Sequence, residues 1–136
     1  MKKLLTVLAL ALAAGGAHAA QPDYSGVYDC TGDDHHEGKY TGTVTLQLVQ
    51  EQSIKSHNAY SFKLEVPGYG VYSGQAAASG NQMAIHFALA DQSTKDYGTG
   101  LATFVINRGG KWTFNKYYYE PEFKGGNYGL EQCVHR

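Results

Sequence analysis

Strict alternation of apolar and polar residues is the feature that most limits the fold of this chain. Within the segments 40–50, 60–66 and 82–89, apolar residues occupy every second position over 44–48, 60–66 and 83–89. Successive side chains of a β-strand point to opposite faces, so each segment is expected to have one buried face and one wet face. No window of helical length shows an apolar period of 3.6 residues. The chain is therefore predicted to be all-β.

Turn residues divide the chain into eight predicted strands. Glycine-containing turns at 67–68, 79–81 and 108–111 indicate short hairpins between strands. Five weaker strand candidates join the three regular ones, at residues 24–30, 71–78, 101–107, 112–119 and 128–134. Eight short strands in sequence order predict an antiparallel up-and-down meander. Closure into a barrel is expected, because closure removes the two exposed sheet edges.

A short phrase, aromatic-x-Gly, recurs near predicted strand starts. It occurs as Tyr24-Ser25-Gly26, Tyr40-Thr41-Gly42 and Tyr72-Ser73-Gly74. Glycine within a strand permits the sharp coiling of a small barrel, and a neighbouring aromatic ring can cover the missing side chain. The phrase resembles the strand starts of avidin-like and lipocalin-like barrels. That resemblance covers a few residues per strand, so it implies barrel architecture and no particular family.

The first 19 residues have the pattern of a bacterial signal peptide. Lys2 and Lys3 precede the apolar stretch Leu4 to Leu12, and Ala17-His18-Ala19 is a small-residue cleavage site. Cleavage after Ala19 leaves one domain of 117 residues, 20 to 136, destined for the periplasm or for secretion. No membrane insertion is expected, because no apolar stretch is long enough and the outward strand faces are rich in Thr, Lys and Glu.

Charge argues against one class of partner. After cleavage the chain has nine Lys and Arg residues and twelve Asp and Glu residues, so its formal net charge is −3. Proteins that bind nucleic acid normally carry a concentrated basic patch. No nucleic-acid partner is therefore expected, and no motif in the sequence indicates a cofactor.

The only two cysteines, Cys30 and Cys133, are predicted to form a disulfide in an oxidising compartment. A closed loop of about 100 residues stabilises a fold by about 4.7 kcal/mol in the chain-entropy model. The first and last strands of a closed meander are antiparallel neighbours. The two cysteines can therefore meet only if the first strand continues past Cys30, or if a weak candidate such as 71–78 is not a strand. The first alternative is favoured.

Alternate connections of an up-and-down barrel lie at the same rim. Residues 31–39, 67–70, 90–98 and 120–126 should therefore share one rim, which would be rich in carboxylates and aromatic rings. The mouth of a small barrel is a common ligand site. Aromatic residues with a polar end suit such contacts. The predicted ligand-binding residues are Tyr97, Tyr117, Tyr119 and Phe123.

The densest polar run is Asp33-Asp34-His35-His36-Glu37. Imidazole nitrogens and carboxylate oxygens are ligands for zinc, nickel or copper. Adjacent residues of a strand point in opposite directions, however, and the run contains no helical His-x-x-x-His pair. A solvated hairpin loop is the favoured interpretation, and a metal site using Asp33, Asp34, His35, His36 and Glu37 or a pH-sensitive contact remains open.

No nucleophile with an adjacent base can be placed, so the chain is expected not to be an enzyme. The leading prediction is a small exported barrel that binds a small ligand or an envelope component at an acidic, aromatic mouth. An alternative is an inhibitor of a basic lytic enzyme, since periplasmic lysozyme inhibitors are also small exported β-barrels with a late cysteine. Their serine-glycine-x-x-tyrosine motif is present here only as the fragment Ala78-Ser79-Gly80. A metal-binding protein is the third reading.

Overall fold

The computed structural model describes residues 19 to 136, which form a closed barrel of eight antiparallel strands. Consecutive strands pair in sequence order, and β8 pairs with β1 to close the barrel, as the strand pattern predicted. The predicted signal peptide lies outside the described residues, apart from Ala19. The strands are β1 (Gly26–Asp34), β2 (Gly38–Leu48), β3 (His57–Val66), β4 (Gly70–Ser79), β5 (Gln82–Leu89), β6 (Tyr97–Ile106), β7 (Trp112–Glu120) and β8 (Asn127–His135).

Helical structure in the described residues is limited to three short 3-10 turns. They lie at Gln50–Gln52, Gln92–Thr94 and Phe123–Gly125, all in connections between strands. No helix within residues 19–136 has the length and hydropathy that a membrane span requires. The barrel is therefore built almost entirely from the alternating strands that the sequence predicted.

Aromatic and aliphatic side chains fill one half of the barrel. The ring of Tyr24 stacks on Phe104 with centroids 4.0 Å apart, and Tyr28 meets Phe114 edge to face at 5.2 Å. Met83 is also fully buried. Burial of such side chains contributes about 1.5 to 3 kcal/mol each, so this half of the barrel supplies much of the hydrophobic stabilisation.

The segment before β1 covers this apolar end. The side chain of Gln21 donates to the carbonyl of Gly80 and accepts from its N–H, both at 2.7 Å. The hydroxyl of Tyr24 donates to the same carbonyl at 2.7 Å, and the amide of Asn58 donates to the carbonyl of Pro22 at 3.1 Å. These bonds attach the N-terminal segment to the β4–β5 turn and to β3, and they leave the opposite rim as the open one.

Cys30 and Cys133 form the predicted disulfide. They are direct cross-strand partners in the pairing of β1 with β8, and their Cα atoms are 4.1 Å apart. The register is possible because β1 continues four residues past Cys30, to Asp34. The favoured alternative of the sequence analysis is thus confirmed, and Asp33 and Asp34 belong to the sheet.

Removing the disulfide should destabilise the barrel without changing its fold. The Cys30→Ala, Cys133→Ala double variant is expected to lose about 2 to 4 kcal/mol of unfolding free energy, because the unfolded chain is no longer closed into a long loop. Urea unfolding of the wild type and of the double variant, in buffer without reductant, measures the loss. The matched control is Thr31→Ala with Gln132→Ala, the next cross-strand pair, which points outward. Equal effects of the two double variants would contradict a stabilising disulfide.

Candidate functional site

A cavity of about 900 Å³ opens at the rim formed by the connections after β1, β3, β5 and β7. The four connections are residues 35–37, 67–69, 90–96 and 121–126. Each supplies a lining side chain: Glu37, Tyr69, Asp96 and Phe123. The rim predicted from the alternation of loops is thus the rim at which the cavity opens.

Inward-facing glycines make space for large side chains at this end of the barrel. A Cβ atom on Gly32 would lie 2.1 Å from the ring of Tyr40, and one on Gly129 would lie 2.2 Å from the hydroxyl oxygen of Tyr118. Gly32 pairs directly with Tyr40, and Gly129 with Tyr118. Each tyrosine therefore lies across the neighbouring strand, where a side chain larger than hydrogen would collide with it.

A buried ion pair lies at the inner end of the cavity. The ammonium of Lys116 is 2.8 Å from Oε1 of Glu131, and the two side chains are 2% and 0% exposed. The hydroxyl of Tyr40 donates to Oε2 of Glu131 at 2.6 Å. Lys116 also lies 5.2 Å from the ring centroid of Phe62 and 5.6 Å from that of Phe87. A carboxylate and aromatic faces together therefore compensate the buried ammonium.

Asp34 anchors a second polar cluster nearer the rim. Its Oδ2 accepts from the hydroxyl of Tyr118 at 2.7 Å and from the amide of Asn127 at 2.8 Å. The same amide donates to Glu120. Burial alone would raise the pKa of Asp34, but the N–H of Glu37 and the two side-chain donors bring that pKa below its usual value. Asp34 is therefore ionised and well bonded.

Asp96 and Glu120 form a pair of buried carboxyls in the wall of the cavity. They are 3% and 4% exposed. Oδ2 of Asp96 accepts from Tyr72 at 2.9 Å and from Tyr69 at 3.4 Å. Its Oδ1 is buried and has no N–H or hydroxyl donor among residues 19–136.

Burial is the main cause of raised pKa values in this pair. It raises the pKa of Asp96, and it raises the pKa of Glu120 to about 7, with the negative charges of Asp96 and Asp34 adding to the effect. Burial thus favours the protonated form of both carboxyls, and near neutral pH Glu120 holds a proton in part of the molecules.

The four predicted ligand-binding residues lie on two different sides of the barrel wall. Phe123 is buried and lines the cavity. Tyr97, Tyr117 and Tyr119 point away from the interior, and about half of the surface of Tyr117 and Tyr119 is exposed. Only Phe123 can therefore contact a ligand inside the barrel. The three outer tyrosines are accessible to a partner that binds outside it.

The five residues of the run 33–37 diverge. Asp34 faces the interior, whereas Asp33 and His35 face outward. Their contacts are Asp33 with Lys39, Asp34 with Tyr118, His35 with Tyr128, His36 with Gly126 and Glu37 with Lys124. In the described part of the chain, the one close group of three potential metal ligands is Cys30, Glu131 and Cys133, whose sulfurs are joined to each other. The geometry of the run does not favour a metal site.

Sequence reasoning missed the buried charges Lys116 and Glu131. The signal was present, because strict alternation from the core residue Phe114 places Lys116 and Glu120 on the inner face of β7. Alternation from Cys133 likewise places Glu131 inside. Charged residues were expected on the wet face, and a barrel with a polar interior reverses that expectation at one end.

Removing only one partner of the buried ion pair should lower the unfolding free energy strongly. Lys116→Met is expected to lower the unfolding free energy by about 3 to 5 kcal/mol, because it leaves Glu131 charged and buried. Adding Glu131→Gln should recover most of the loss, since the amide oxygen still accepts from Tyr40. Urea unfolding at pH 7 measures both.

Lys63→Met, at the exposed pair with Glu65, is the control and should cost less than about 1 kcal/mol. Equal losses for the two lysine variants would contradict the buried pair.

The carboxyl pair should make stability fall as pH rises. Glu120 titrates from its ordinary pKa of 4.5 in the unfolded chain and from about 7 in the folded one. The folded state therefore holds more protons between these values, and the unfolding free energy decreases across that window. The raised pKa of Asp96 acts in the same direction. The lowered pKa of Asp34 acts oppositely, at more acidic pH.

Urea unfolding from pH 4.5 to 8 tests this dependence. Glu120→Gln should reduce the decrease, whereas Glu122→Gln, at an exposed residue of the same rim, should retain it. A decrease of the same size in wild type and Glu120→Gln would show that Glu120 is not its source.

The cavity thus joins buried carboxyls, aromatic walls and one compensated ammonium at the open end of the barrel. No family model, no curated protein and no solved structure matches the chain.

Proposed function

We propose that the protein is an exported, non-enzymatic binding protein that holds a small ligand in the cavity of its barrel. The cavity itself is the observation that carries the proposal. Its volume of about 900 Å³ falls within the range of about 300 to 1,000 Å³ that is usual for small-molecule sites. Four separate connections line its mouth, so a ligand would be contacted from all sides.

The lining supports binding more than covalent catalysis. Aromatic and aliphatic side chains line the cavity together with a few converging polar groups, which is the usual composition of a ligand pocket. The residues that line the cavity include no serine, cysteine or histidine. The hydroxyls of Tyr72 and Tyr118 are already hydrogen-bonded to Asp96 and Asp34, so they are held in fixed positions for recognition.

Two observations support export. Residues 1 to 19 have the pattern of a signal peptide. The buried disulfide between Cys30 and Cys133 is of a kind that persists in oxidising compartments and is rare in the cytosol. The periplasm of a bacterium, or the medium around it, is the compartment in which the barrel would meet its ligand.

Native mass spectrometry of the protein purified from its own compartment should reveal a bound small molecule. Val66→Trp should abolish the added mass, because Val66 lines the cavity and a larger side chain would fill its mouth. Val71→Trp is the matched control, since Val71 lies on the outer face of the next strand and is exposed.

Circular dichroism and urea unfolding establish that both variants are folded. Leu64→Trp, from the same inner face as Val66, provides a second blocking variant. An added mass that survives both inner substitutions would place the ligand elsewhere. A protein that carries no small molecule in any preparation would argue against the proposed function.

A further inference from the structure

The charges at the open end of the barrel are unevenly compensated. At the rim, Lys39 lies 3.1 Å from Asp33, Lys95 lies 3.6 Å from Glu122, and Lys124 contacts Glu37. Three of the rim carboxylates are thus matched by lysines, whereas Asp91 accepts from Ser93. The acidic surface expected for an inhibitor of a basic enzyme is correspondingly reduced.

Inside the cavity, carboxyls outnumber cations. Lys116 is the one lysine or arginine of the described residues that is buried there, and Glu131 neutralises it. Asp34, Asp96 and Glu120 have no ion-pair partner within residues 19–136. Buried carboxylates without a compensating charge are costly. The interior therefore has an excess of negative charge that a bound cation would neutralise.

The carboxyl of Asp96 is the one whose bonding is least complete. It is 97% buried and lines the cavity, yet Oδ1 has no N–H or hydroxyl donor. A proton on Glu120 lowers the negative charge of the pair, but only while that proton is held. A positively charged donor brought by a ligand would supply both the missing hydrogen bond and the missing charge.

The walls around Asp96 suit an organic cation. Tyr69 and Tyr72 are nearly parallel, with ring centroids 6.4 Å apart, and Phe87 and Phe123 also line the cavity. Aromatic faces attract ammonium groups. Lys116 shows this chemistry within the same barrel, where rings and one carboxylate surround an ammonium.

A metal ion fits the same carboxyls poorly. Oxygens of a shared metal site must converge, and no close group of three ligands in the described chain contains Asp34, Asp96 or Glu120. An ammonium needs only one or two acceptors and can use aromatic faces for the rest of its surroundings.

We propose that the ligand is a small organic amine, bound as its ammonium by Asp96 and Glu120 between the aromatic walls of the cavity. This inference rests on the proposed function, because it requires that the cavity be a ligand site. Tyr72 and Tyr69 hold Asp96 through its Oδ2, and the amide of Asn127 holds Glu120. The amine supplies the positive charge and the donor that the two carboxyls otherwise lack.

Isothermal titration calorimetry with matched probes tests the charge of the ligand. The first set is phenethylamine, phenethyl alcohol and phenylpropionate; the second is tryptamine, tryptophol and indolepropionate. Within each set the size and ring are similar, and the charge is positive, neutral or negative. At pH 8 at least one amine is expected to bind about tenfold or more tightly than its alcohol, and the anions should bind least.

Variants tie the preference to the carboxyl pair. Asp96→Asn is expected to weaken amine binding about tenfold while leaving alcohol binding unchanged, because the amide still accepts from Tyr72. Glu120→Gln should weaken amine binding in the same sense. Glu122→Gln, at an exposed rim residue paired with Lys95, is the matched control and should change neither.

Three results would overturn the proposal. They are equal affinity for amine and alcohol in both sets, tighter binding of the anion, and no binding of either amine. If the inner substitutions at Val66 and Leu64 still remove a natively bound molecule, the cavity remains a ligand site and only its preference for amines is wrong. If they do not, the proposed function fails as well.

Discussion

The pairing of β1 with β8 is the contact on which the rest of the structure depends. It closes the barrel and sets Cys30 directly opposite Cys133. Because side chains alternate between faces, a slip of β1 by one residue would turn Cys30 outward while Cys133 stayed inside, and it would move Asp34 out of the interior. The disulfide therefore fixes more than the distance between two strands. It specifies the register that brings Asp34 to Tyr118 and Asn127, and so it also shapes the wall of the cavity.

The interior is divided between two kinds of packing. At the end covered by the N-terminal segment, rings and aliphatic groups pack without charges, as in an ordinary core. Toward the open rim, Lys116, Glu131 and Glu120 are buried, each with a named partner. Small inward residues such as Gly32 and Gly129 leave room for tyrosine rings that separate the polar groups from the sheet backbone. The apolar end thus stabilises a fold whose other end carries costly polar groups.

The sequence predicted the strands and the rim better than it predicted the contents of the barrel. Alternation in the segments 40–50, 60–66 and 82–89 correctly identified the inner faces, and the position of Cys30 correctly required a longer first strand. β6 begins at Tyr97, four residues before the predicted start, because inward glycines at 98 and 100 give no hydropathy signal. Lys116 was overlooked for a different reason. Its inward position follows from alternation, but its burial depends on Glu131, its direct cross-strand partner in β8, and the register of a strand pair is not visible in local pattern.

The carboxyls that line the cavity differ in how completely they are hydrogen-bonded. Asp34 has donors from both backbone and side chains and stays ionised, so it acts as a fixed part of the wall. Asp96 keeps an oxygen without a donor, and Glu120 holds a proton only below about neutral pH. A buried pair in this condition would gain more from a nearby cation than a fully bonded pair would, because a cation would remove repulsion between the carboxyls. The oxygen of Asp96 that has no donor costs stability, and the apolar end and the disulfide offset that cost. The same oxygen is the feature on which the proposed binding of an amine rests.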